Sequence, residues 1–444
     1  MERAEPMSVR LEGLRNGEVM RRHRVVLSVS LAAAMVAMAG CSPAAEPDGP
    51  VELRMAVWTA NEGHLEVLNA IGSAFVEANP DIVSAVTYES ITAPDYIAAL
   101  TTQIAGGDSP DLVWVFERNG PEFVQQGVFA NVTDVLQSTE GYDFDDILID
   151  TLAPWSQGSD VFAYPFSNSP YGIFVNSALL EQAGQPNPRD LIASGDWTWD
   201  AATEIAASVS QTADVGGLFV GDPYVAWNDV LPVLWESWGA NGWSADGTTC
   251  EFTSPEMVSF LEWFHTQVFE ADAIPRPGEA ADFAAGQAAL ALGQMSWTRA
   301  FGEDLEWDFV PLPAGPAGVA PVVGQAGVGV VARGDNPEVA AQFLAFFTSP
   351  ESVSQLAAFF PPARESLLTI EVISEAAPAL TNEQIQATVI DQALEGSTKE
   401  GHPKMNTIVP LVRSALDSLW VPDGDAASAA QLVCDNIDPV ISAL

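Results

Sequence analysis

Apolar and polar positions follow two different periods in the first part of the chain. Residues 51–58 alternate as a half-buried strand does, whereas residues 62–78 repeat apolar positions at helical spacing and are ended by Asn79-Pro80. The same patterns predict a strand at 83–88, a helix at 94–105, a Gly-Gly-Asp turn at 106–108 and a strand buried on both faces at 111–115. Alternation of strand and helix predicts a parallel, doubly wound α/β sheet.

Helical spacing dominates after residue 176. The pattern predicts helices at 177–183, 199–209, 227–238, 254–269, 337–348 and 351–359, with strands at 307–313 and 324–332. A chain of 444 residues is too long for one ordinary core, so we expect at least two lobes.

The segment from Ala163 to Asn176 has an unusual pattern for a strand. Pro165 and Pro170 each remove a backbone donor, so the segment cannot be an ordinary central strand throughout. Small polar residues lie between the prolines at 167–169, and the chain becomes apolar after Gly172. Two interpretations are open at this point: an edge strand, or a crossing of the chain from one lobe to another.

The charge of the chain excludes some partners. Basic residues number 16 against 60 acidic ones, and residues 1–40 hold six of the former and four of the latter, which leaves 10 basic and 56 acidic residues. Such a surface repels nucleic acid and anionic lipid, so a nucleic-acid partner is excluded.

The N-terminal region has the composition of an export signal. Arg21, Arg22 and Arg24 precede an apolar run at 25–39, which is too short for a comfortable membrane span. The run ends at Met38-Ala39-Gly40-Cys41, which resembles the lipobox of bacterial lipoproteins. We therefore expect a signal peptide at 1–40 with Met20 as the true start, lipidation of Cys41 and a tether at 41–50. The protein would then lie outside the cytoplasm, held on the outer face of the cell membrane by its lipid alone.

Two cysteines remain after Cys41. Export makes oxidation favourable, so we expect a disulfide between Cys250 and Cys434. Neither metal-ligand spacing nor a catalytic motif is found, and no cofactor is expected. Gly327, Gly329 and Ala332 match a dinucleotide fingerprint, but they lie inside an apolar run instead of opening a helix, and a second crossing between lobes explains them better.

Three stretches resemble one family. They are Tyr164-Pro165 with 171–184, Trp114 to Arg118, and 282–297, where a helix, a strand and a tryptophan are expected in that order. They are similar to the carbohydrate-type extracellular solute-binding proteins of ABC importers, to which maltose-binding protein belongs. The resemblance implies a two-lobed periplasmic-binding-protein fold, each lobe a doubly wound sheet flanked by helices, with hinge crossings. It places 51–167 and 327–378 in lobe 1, and 168–326 and 379–444 in lobe 2.

The resemblance also implies ligand-binding residues between the lobes. Sugars stack their C–H faces on aromatic rings and bind carboxylate, amide and guanidinium groups through their hydroxyls. Where the family carries an aromatic residue, this chain has Val409, so the ligand need not be maltose. The residues expected to bind ligand are Trp58, Asn61, Glu62, Trp114, Glu117, Arg118, Ser169, Asp222, Tyr224, Trp227, Trp297 and Arg413. Core packing is the alternative role for each tryptophan taken singly.

The expected function is capture of a mono- or oligosaccharide by a monomeric receptor. Hinge closure would trap the ligand, and the receptor would deliver it to the transmembrane subunits of an ABC permease. Two alternatives stay open. One is a secreted polysaccharide hydrolase with two carboxylates in its cleft. The other is the same fold binding a glycerol phosphate or a peptide.

Overall fold

Two β-sheets, each covered by helices, organise the chain. The computed structural model describes residues 49–91, 96–213, 215–357 and 359–443, so the signal peptide, Cys41 and nearly all of the tether lie outside the described residues. From Gly49 onward the chain forms one compact unit. Its strands are β1 Val51–Val57, β2 Val83–Ser90, β3 Leu112–Phe116, β4 Ser156–Gln157, β5 Asp160–Val161, β6 Ala163–Pro170, β7 Gly172–Asn176, β8 Gly216–Phe219, β9 Ala288–Gly293, β10 Trp307–Pro311, β11 Val322–Val330 and β12 Ser397–Thr398.

The α-helices are α1 Glu62–Ala78, α2 Tyr96–Gly106, α3 Gly120–Gln125, α4 Thr133–Ser138, α5 Ser177–Gln182, α6 Pro188–Ser194, α7 Trp199–Ala213, α8 Trp227–Trp235, α9 Pro255–Phe269, α10 Pro337–Phe347, α11 Pro350–Leu356, α12 Ile370–Ala376, α13 Asn382–Gln384, α14 Asp391–Glu395, α15 Met405–Leu416 and α16 Ala426–Ile441. Short 3-10 turns lie at Glu117–Asn119, Phe144–Asp146, Ile149–Trp155, Glu236–Trp238, Met295–Ala300 and Glu365–Leu367, and a π turn, Ile385–Ile390, joins α13 to α14.

The first sheet has a parallel centre and antiparallel strands beyond it. β1 lies between β2 and β3, both parallel to it, and β11 runs antiparallel to β3 on one side and to β6 on the other. The short β12 joins the start of β11 in parallel. Helices α1, α10 and α11 cover this sheet, and its residues form one core, which defines lobe 1.

Helix α1 shows how the sequence specifies lobe 1. Asn61 caps the helix, because its side chain accepts a hydrogen bond from His64 N at 3.2 Å, as N-cap residues do. Leu68, Ile71 and Phe75 recur on one face and are buried against the sheet. The predicted bounds of this helix, 62–78, are confirmed.

The second sheet runs in the order β10-β7-β9-β8, with β8 parallel to β9 and the other pairs antiparallel. Its faces carry two hydrophobic clusters, one with α7, α8, α9, α15 and α16 and the other with the segment from Leu368 to Ala393. Together they define lobe 2. The predicted two-lobed α/β fold is thus confirmed.

The chain crosses between the lobes over a very short distance. β6 belongs to the first sheet as far as Pro170, and β7 begins the second sheet at Gly172, so only Tyr171 separates them. Both prolines are tolerated because β6 pairs with β11 alone and is an edge strand. The segment is therefore both an edge strand and a crossing. A Cβ atom at Gly172 would lie 2.5 Å from the Thr388 side chain, so the crossing requires glycine.

Three sequence predictions differ from the structure. β11 is in the first sheet almost from its start, so the second crossing lies near Val322 and not at 326–327. Residues 368–378, predicted for lobe 1, pack on lobe 2, where Ile373 shares a cluster with Phe174 and Phe309. No helix forms at 282–286, because this stretch turns before β9 and buries only Phe283 among aromatic neighbours.

Two features of the sequence find structural explanations. A Cβ atom at Gly327 or Gly329 would meet the rings of Trp155 or Phe129 at 2.7 Å or less, so these glycines admit aromatic packing within a strand and do not hold a nucleotide. The structure also pairs Cys250 with Cys434, as predicted, and joins the approach to α9 with α16 inside lobe 2.

Candidate ligand cleft between the lobes

An aromatic and cationic stack lies where two strands of lobe 1 end. Trp58 directly follows β1 and Phe116 ends β3, and the carboxyl ends of these parallel neighbours meet at one edge of the sheet. The two rings stack with centroids 4.2 Å apart and planes 18° from parallel. The Arg118 guanidinium also lies over the ring of Phe116, 4.3 Å from its centroid. The sheet edge thus presents flat apolar rings beside a cation.

The stack reaches lobe 2 through an ion pair. Arg118 Nη1 lies 2.7 Å from Asp229 Oδ1, which belongs to α8 of lobe 2. The Asp229 side chain is 40% exposed, so the pair borders solvent. A pair of this kind contributes little to stability, and its groups can exchange each other for a ligand hydroxyl at small cost. Arg118 and Asp229 are thus polar groups of the cleft between the lobes.

A second ion pair lies deeper, beside the crossing strands. Glu117 contacts Lys399 Nζ at 3.0 Å, and its other oxygen accepts a hydrogen bond from Gln325 N at 3.1 Å. Lys399 Nζ also donates to the Tyr171 hydroxyl at 3.3 Å. Burial lowers the pKa of Lys399, but Glu117, Tyr171 and Asp229 raise it by more, so the pKa lies above its usual range. This buried pair is charged and fixes the hinge region of both lobes.

Lobe 2 has a partly exposed tryptophan in the same turn as Arg299, which contacts lobe 1. Trp297 follows β9 in the 3-10 turn Met295–Ala300, and 36% of its surface is exposed. Its inner face lies parallel to the ring of Phe174, and a Cβ atom at Gly293 would approach the indole to 2.8 Å. Nearby, the Arg299 guanidinium lies 4.2 Å from the ring of Phe359, which is in lobe 1. Trp297 thus has one face fixed by the core and the other free for a ligand.

Three of the expected ligand residues are core residues in the structure. Trp114 is fully buried among Trp58, Phe166 and Phe360. Trp227 is also buried and donates to Val409 O at 3.1 Å. Tyr224 donates its hydroxyl to Pro275 O at 2.5 Å and packs against Trp420. The rings of Trp114 and Trp227 therefore present no free face to a ligand in this conformation, whereas Tyr224 is partly buried and packs against the core.

The other expected residues are more varied in position. Asn61 and Glu62 begin α1 at the surface, where the Asn61 side chain serves as the helix cap. Ser169 lies almost buried in β6, with its hydroxyl 3.1 Å from that of Ser167. Asp222 accepts from Val225 N in an exposed turn, and Arg413 lies exposed on α15. Trp58, Glu117, Arg118 and Trp297 are thus the expected residues that the structure brings to the lobe boundary.

The sequence did not single out several residues of this boundary. Asp229 and Lys399 gave no motif, although the scarcity of basic residues made Lys399 notable. Phe116 and Phe359 resemble ordinary core phenylalanines in the sequence. Asn406 was also missed, and its backbone N–H donates to Glu122 Oε2 of lobe 1 at 3.0 Å.

The described residues contain neither a membrane-spanning helix nor a cluster of metal ligands. Among the helices between 49 and 443 that the structure describes, none has the length and apolar character needed to span a membrane. In the same residues, no three His, Cys, Asp or Glu side chains converge in a way that could hold a metal ion.

The two lobes, their hinge strands and the aromatic cleft define a two-lobed solute-binding protein. Residues 70–382 match the family model of bacterial extracellular solute-binding proteins, and the chain belongs to that family.

Individual relatives are distant. An uncharacterized lipoprotein of Streptomyces antibioticus is 24% identical over 354 residues, which are 75% of each chain. The ABC substrate-binding protein of Listeria monocytogenes in complex with cycloalternan is similar in structure, with a TM-score of 0.76, 22% identity and coverage of 88% of this chain and 98% of that one. A Mycobacterium tuberculosis protein in complex with glycerophosphocholine has a TM-score of 0.72, 17% identity and coverage of 89% and 99%. At these identities the likeness concerns the fold.

Proposed function

We propose that this protein is the extracytoplasmic substrate-binding component of an ABC importer and binds a neutral sugar or oligosaccharide between its lobes. Trp58, Arg118, Asp229 and Trp297 are the residues that we assign to the ligand. Closure of the hinge would bring the two lobes onto the ligand, and the closed form would deliver it to the permease. No chemical change of the ligand is part of this function.

The observation that carries the proposal is the stack of Trp58, Phe116 and Arg118 paired with Asp229 of the other lobe. Aromatic faces suit the C–H faces of sugar rings, and the unlike charges suit hydroxyls, which both donate and accept. The ion pair links the lobes directly, and a bound sugar would replace this contact by hydrogen bonds to both groups. Ligand binding and closure would then be coupled through the same two side chains.

Attachment to the membrane completes the proposal. We assign the lipid to Cys41 and the tether to residues 41–50, which would connect the lobes to the membrane beside a permease. Mass spectrometry of protein extracted from membranes should find a diacylated N-terminal Cys41. A peptide that reads through Gly40 into Cys41 would contradict the lipid anchor, but not the sugar site.

A non-sugar ligand remains the second candidate, and one observation bears on it. Arg118 and Lys399 could attract a phosphate group, but each is already paired with a carboxylate. With 10 basic residues against 56 acidic ones after residue 40, a neutral ligand fits the cleft better than an anion.

Calorimetric titration with a panel of mono- and oligosaccharides tests the function. We expect one sugar to bind with one-to-one stoichiometry and to be recovered unchanged after long incubation. Arg118→Ala should weaken binding by about 1.5–3 kcal/mol, the range for a hydrogen bond to a charged group. Arg276→Ala is the matched control, because Arg276 is also ion-paired but lies exposed beside Asp272 of lobe 2. Turnover of the sugar, or equal affinity in both variants, would contradict the proposal.

A further inference from the structure

A large cavity adjoins the crossing strands, and its lining differs from the aromatic stack of the ligand cleft. Its volume is about 790 Å³, and its lining includes Asn168 and Gln325, which pair across β6 and β11. Successive side chains of a strand point to opposite faces, so Asn168 faces away from Ser167 and Ser169. Trp58, Arg118 and Trp297 do not line it. We call it the rear cavity.

Both lobes contribute walls to the rear cavity. One wall comes from residues 147–154 of lobe 1. The facing wall comes from residues 393–401, of which Ala393 packs in lobe 2, whereas β12 pairs with β11 of the first sheet. A movement of the hinge therefore changes the distance between these walls.

A chain of side-chain hydrogen bonds fixes the orientation of the amides in the lining. The indole Nε1 of Trp155 can only donate, and it donates to Gln325 Oε1 at 3.2 Å. Gln325 Nε2 must then be the next donor, and it donates to Asn168 Oδ1 at 3.0 Å. This order assigns the remaining atom of Asn168, Nδ2, as an N–H donor.

Asn168 Nδ2 has no hydrogen-bond partner among the described residues, although Asn168 is 99% buried. An amide donor buried without a partner destabilises the folded state. Five acidic side chains also line the cavity: Asp145, Asp150, Glu365, Glu395 and Glu400. An unpaired donor in the lining and carboxylate acceptors around it are complementary to a molecule that carries several hydroxyl groups.

We propose that the rear cavity is a second binding site, which takes a small neutral polyol and holds it through Asn168 Nδ2. One hydroxyl oxygen accepts from Nδ2, and other hydroxyls donate to the carboxylates. Because the polyol contacts walls from both lobes, its binding also biases the hinge toward one separation of the lobes.

The charges of the lining select against other ligands. An anion would meet five carboxylates, and the one ammonium group that the described residues place in the lining, that of Lys399, is already paired with Glu117. A simple cation would use the carboxylates but leave Asn168 Nδ2 without an acceptor. A polyol satisfies both kinds of group, because each hydroxyl donates and accepts.

Saturation-transfer NMR with sorbitol as the probe tests the site. Asn168→Asp keeps an acceptor for Gln325 Nε2 and removes the free donor, and it should raise the dissociation constant for sorbitol about tenfold, which corresponds to about 1.4 kcal/mol. Leu394→Trp should block the cavity from its wall without disturbing the core, because Leu394 is 55% exposed. Leu394→Ala is the matched control and should bind as the wild type does. If Asn168→Asp fails to fold, the Leu394 pair still decides the question.

Trp297→Ala, in the ligand cleft, separates the two sites. Sorbitol binding should survive this substitution, since Trp297 does not line the rear cavity. Absence of saturation transfer to the wild-type protein, equal affinity for sorbitol in Leu394→Trp and Leu394→Ala, or loss of binding in Trp297→Ala would each overturn the proposal. None of these results depends on whether the ligand cleft binds a sugar.

Discussion

Lys399 Nζ lies 3.0 Å from Glu117 Oε1, and both side chains are almost completely buried where the lobes meet. Glu117 directly follows a strand of lobe 1, and Lys399 precedes the helix α15 of lobe 2. Removal of one partner from such a pair leaves a buried charge uncompensated, whereas removal of both does not. The pair therefore holds two distant segments of the chain together at the hinge.

Lys399→Met should lower the free energy of unfolding by about 3–5 kcal/mol, because Glu117 is left charged and buried. The double variant Glu117→Gln with Lys399→Met should recover most of this loss. Urea unfolding followed by tryptophan fluorescence measures both. If the double variant is as unstable as Lys399→Met alone, the loss comes from packing and not from the unpaired charge.

Glu400 is the next residue and responds to pH in a different way. Its Oε2 accepts from Gly242 N at 3.0 Å, and Glu236 and Glu251 are nearby acids. Burial and the two neighbouring acids together raise the pKa of Glu400 from 4.5 to about 7, although the hydrogen bond from Gly242 lowers it. Between pH 4.5 and about 7, the folded state therefore keeps a proton on Glu400 that the unfolded chain has released.

The stabilisation from this proton is present in full below pH 4.5 and is lost as the pH rises to about 7. Glu400→Gln should keep that stabilisation at pH 8, and should exceed the wild type there by up to about 3 kcal/mol. The measurement is the free energy of unfolding from pH 4.5 to 8 in both proteins. Glu395→Gln, at an exposed neighbour, controls for the change in net charge. Parallel pH curves for the wild type and Glu400→Gln would contradict the prediction.

Two tryptophans should respond oppositely to truncation. Trp297 is exposed on one face, so Trp297→Ala should weaken sugar binding by about 1–3 kcal/mol and change the melting temperature of the ligand-free protein little. Trp114 is fully buried, so Trp114→Ala should cost about 3–5 kcal/mol of stability. Calorimetry on both variants, with the sugar that binds, measures the two quantities. A large loss of stability in Trp297→Ala with unchanged affinity would place Trp297 in the core.

A comparison of Trp58 with Trp114 shows what the sequence can predict. Trp58 and Trp114 both belong to apolar runs that read as strands, and the sequence placed both in the cleft. Trp58 follows the end of its strand and is partly exposed, whereas Trp114 lies inside β3, where Phe166 and Phe360 from later segments cover it. Local periodicity finds strands and helices such as α1 because their hydrogen bonds and buried faces are local. It does not find contacts of Trp114 or Lys399, which form only when distant segments pack together.

The two crossings between the lobes also separate local features, which the sequence predicts, from long-range contacts, which it does not. Prolines and small polar residues marked the segment at 163–176, since those properties are local. The second crossing was predicted a few residues late, because β11 is apolar on both sides of it and pairing with β6 and β3 alone decides which sheet it joins. Helix α12 was assigned to the wrong lobe for a similar reason, because its partners Phe174 and Phe309 lie in strands far from it in the sequence.

The disulfide between Cys250 and Cys434 closes a loop across 184 residues within lobe 2. Loss of the cross-link enlarges the conformational freedom of the unfolded chain, and a loop of this length predicts a loss of at most about 5 kcal/mol. A soluble form that begins at residue 51 and carries Cys250→Ala and Cys434→Ala should therefore unfold at lower urea than the oxidised protein. Titration of thiols in the unfolded parent protein should find none without reductant. Two free thiols, or equal urea midpoints, would contradict the stabilising role of this disulfide. Because both cysteines lie in one lobe, the substitutions should leave sugar affinity at low temperature unchanged, which separates the stability of lobe 2 from the chemistry of the cleft.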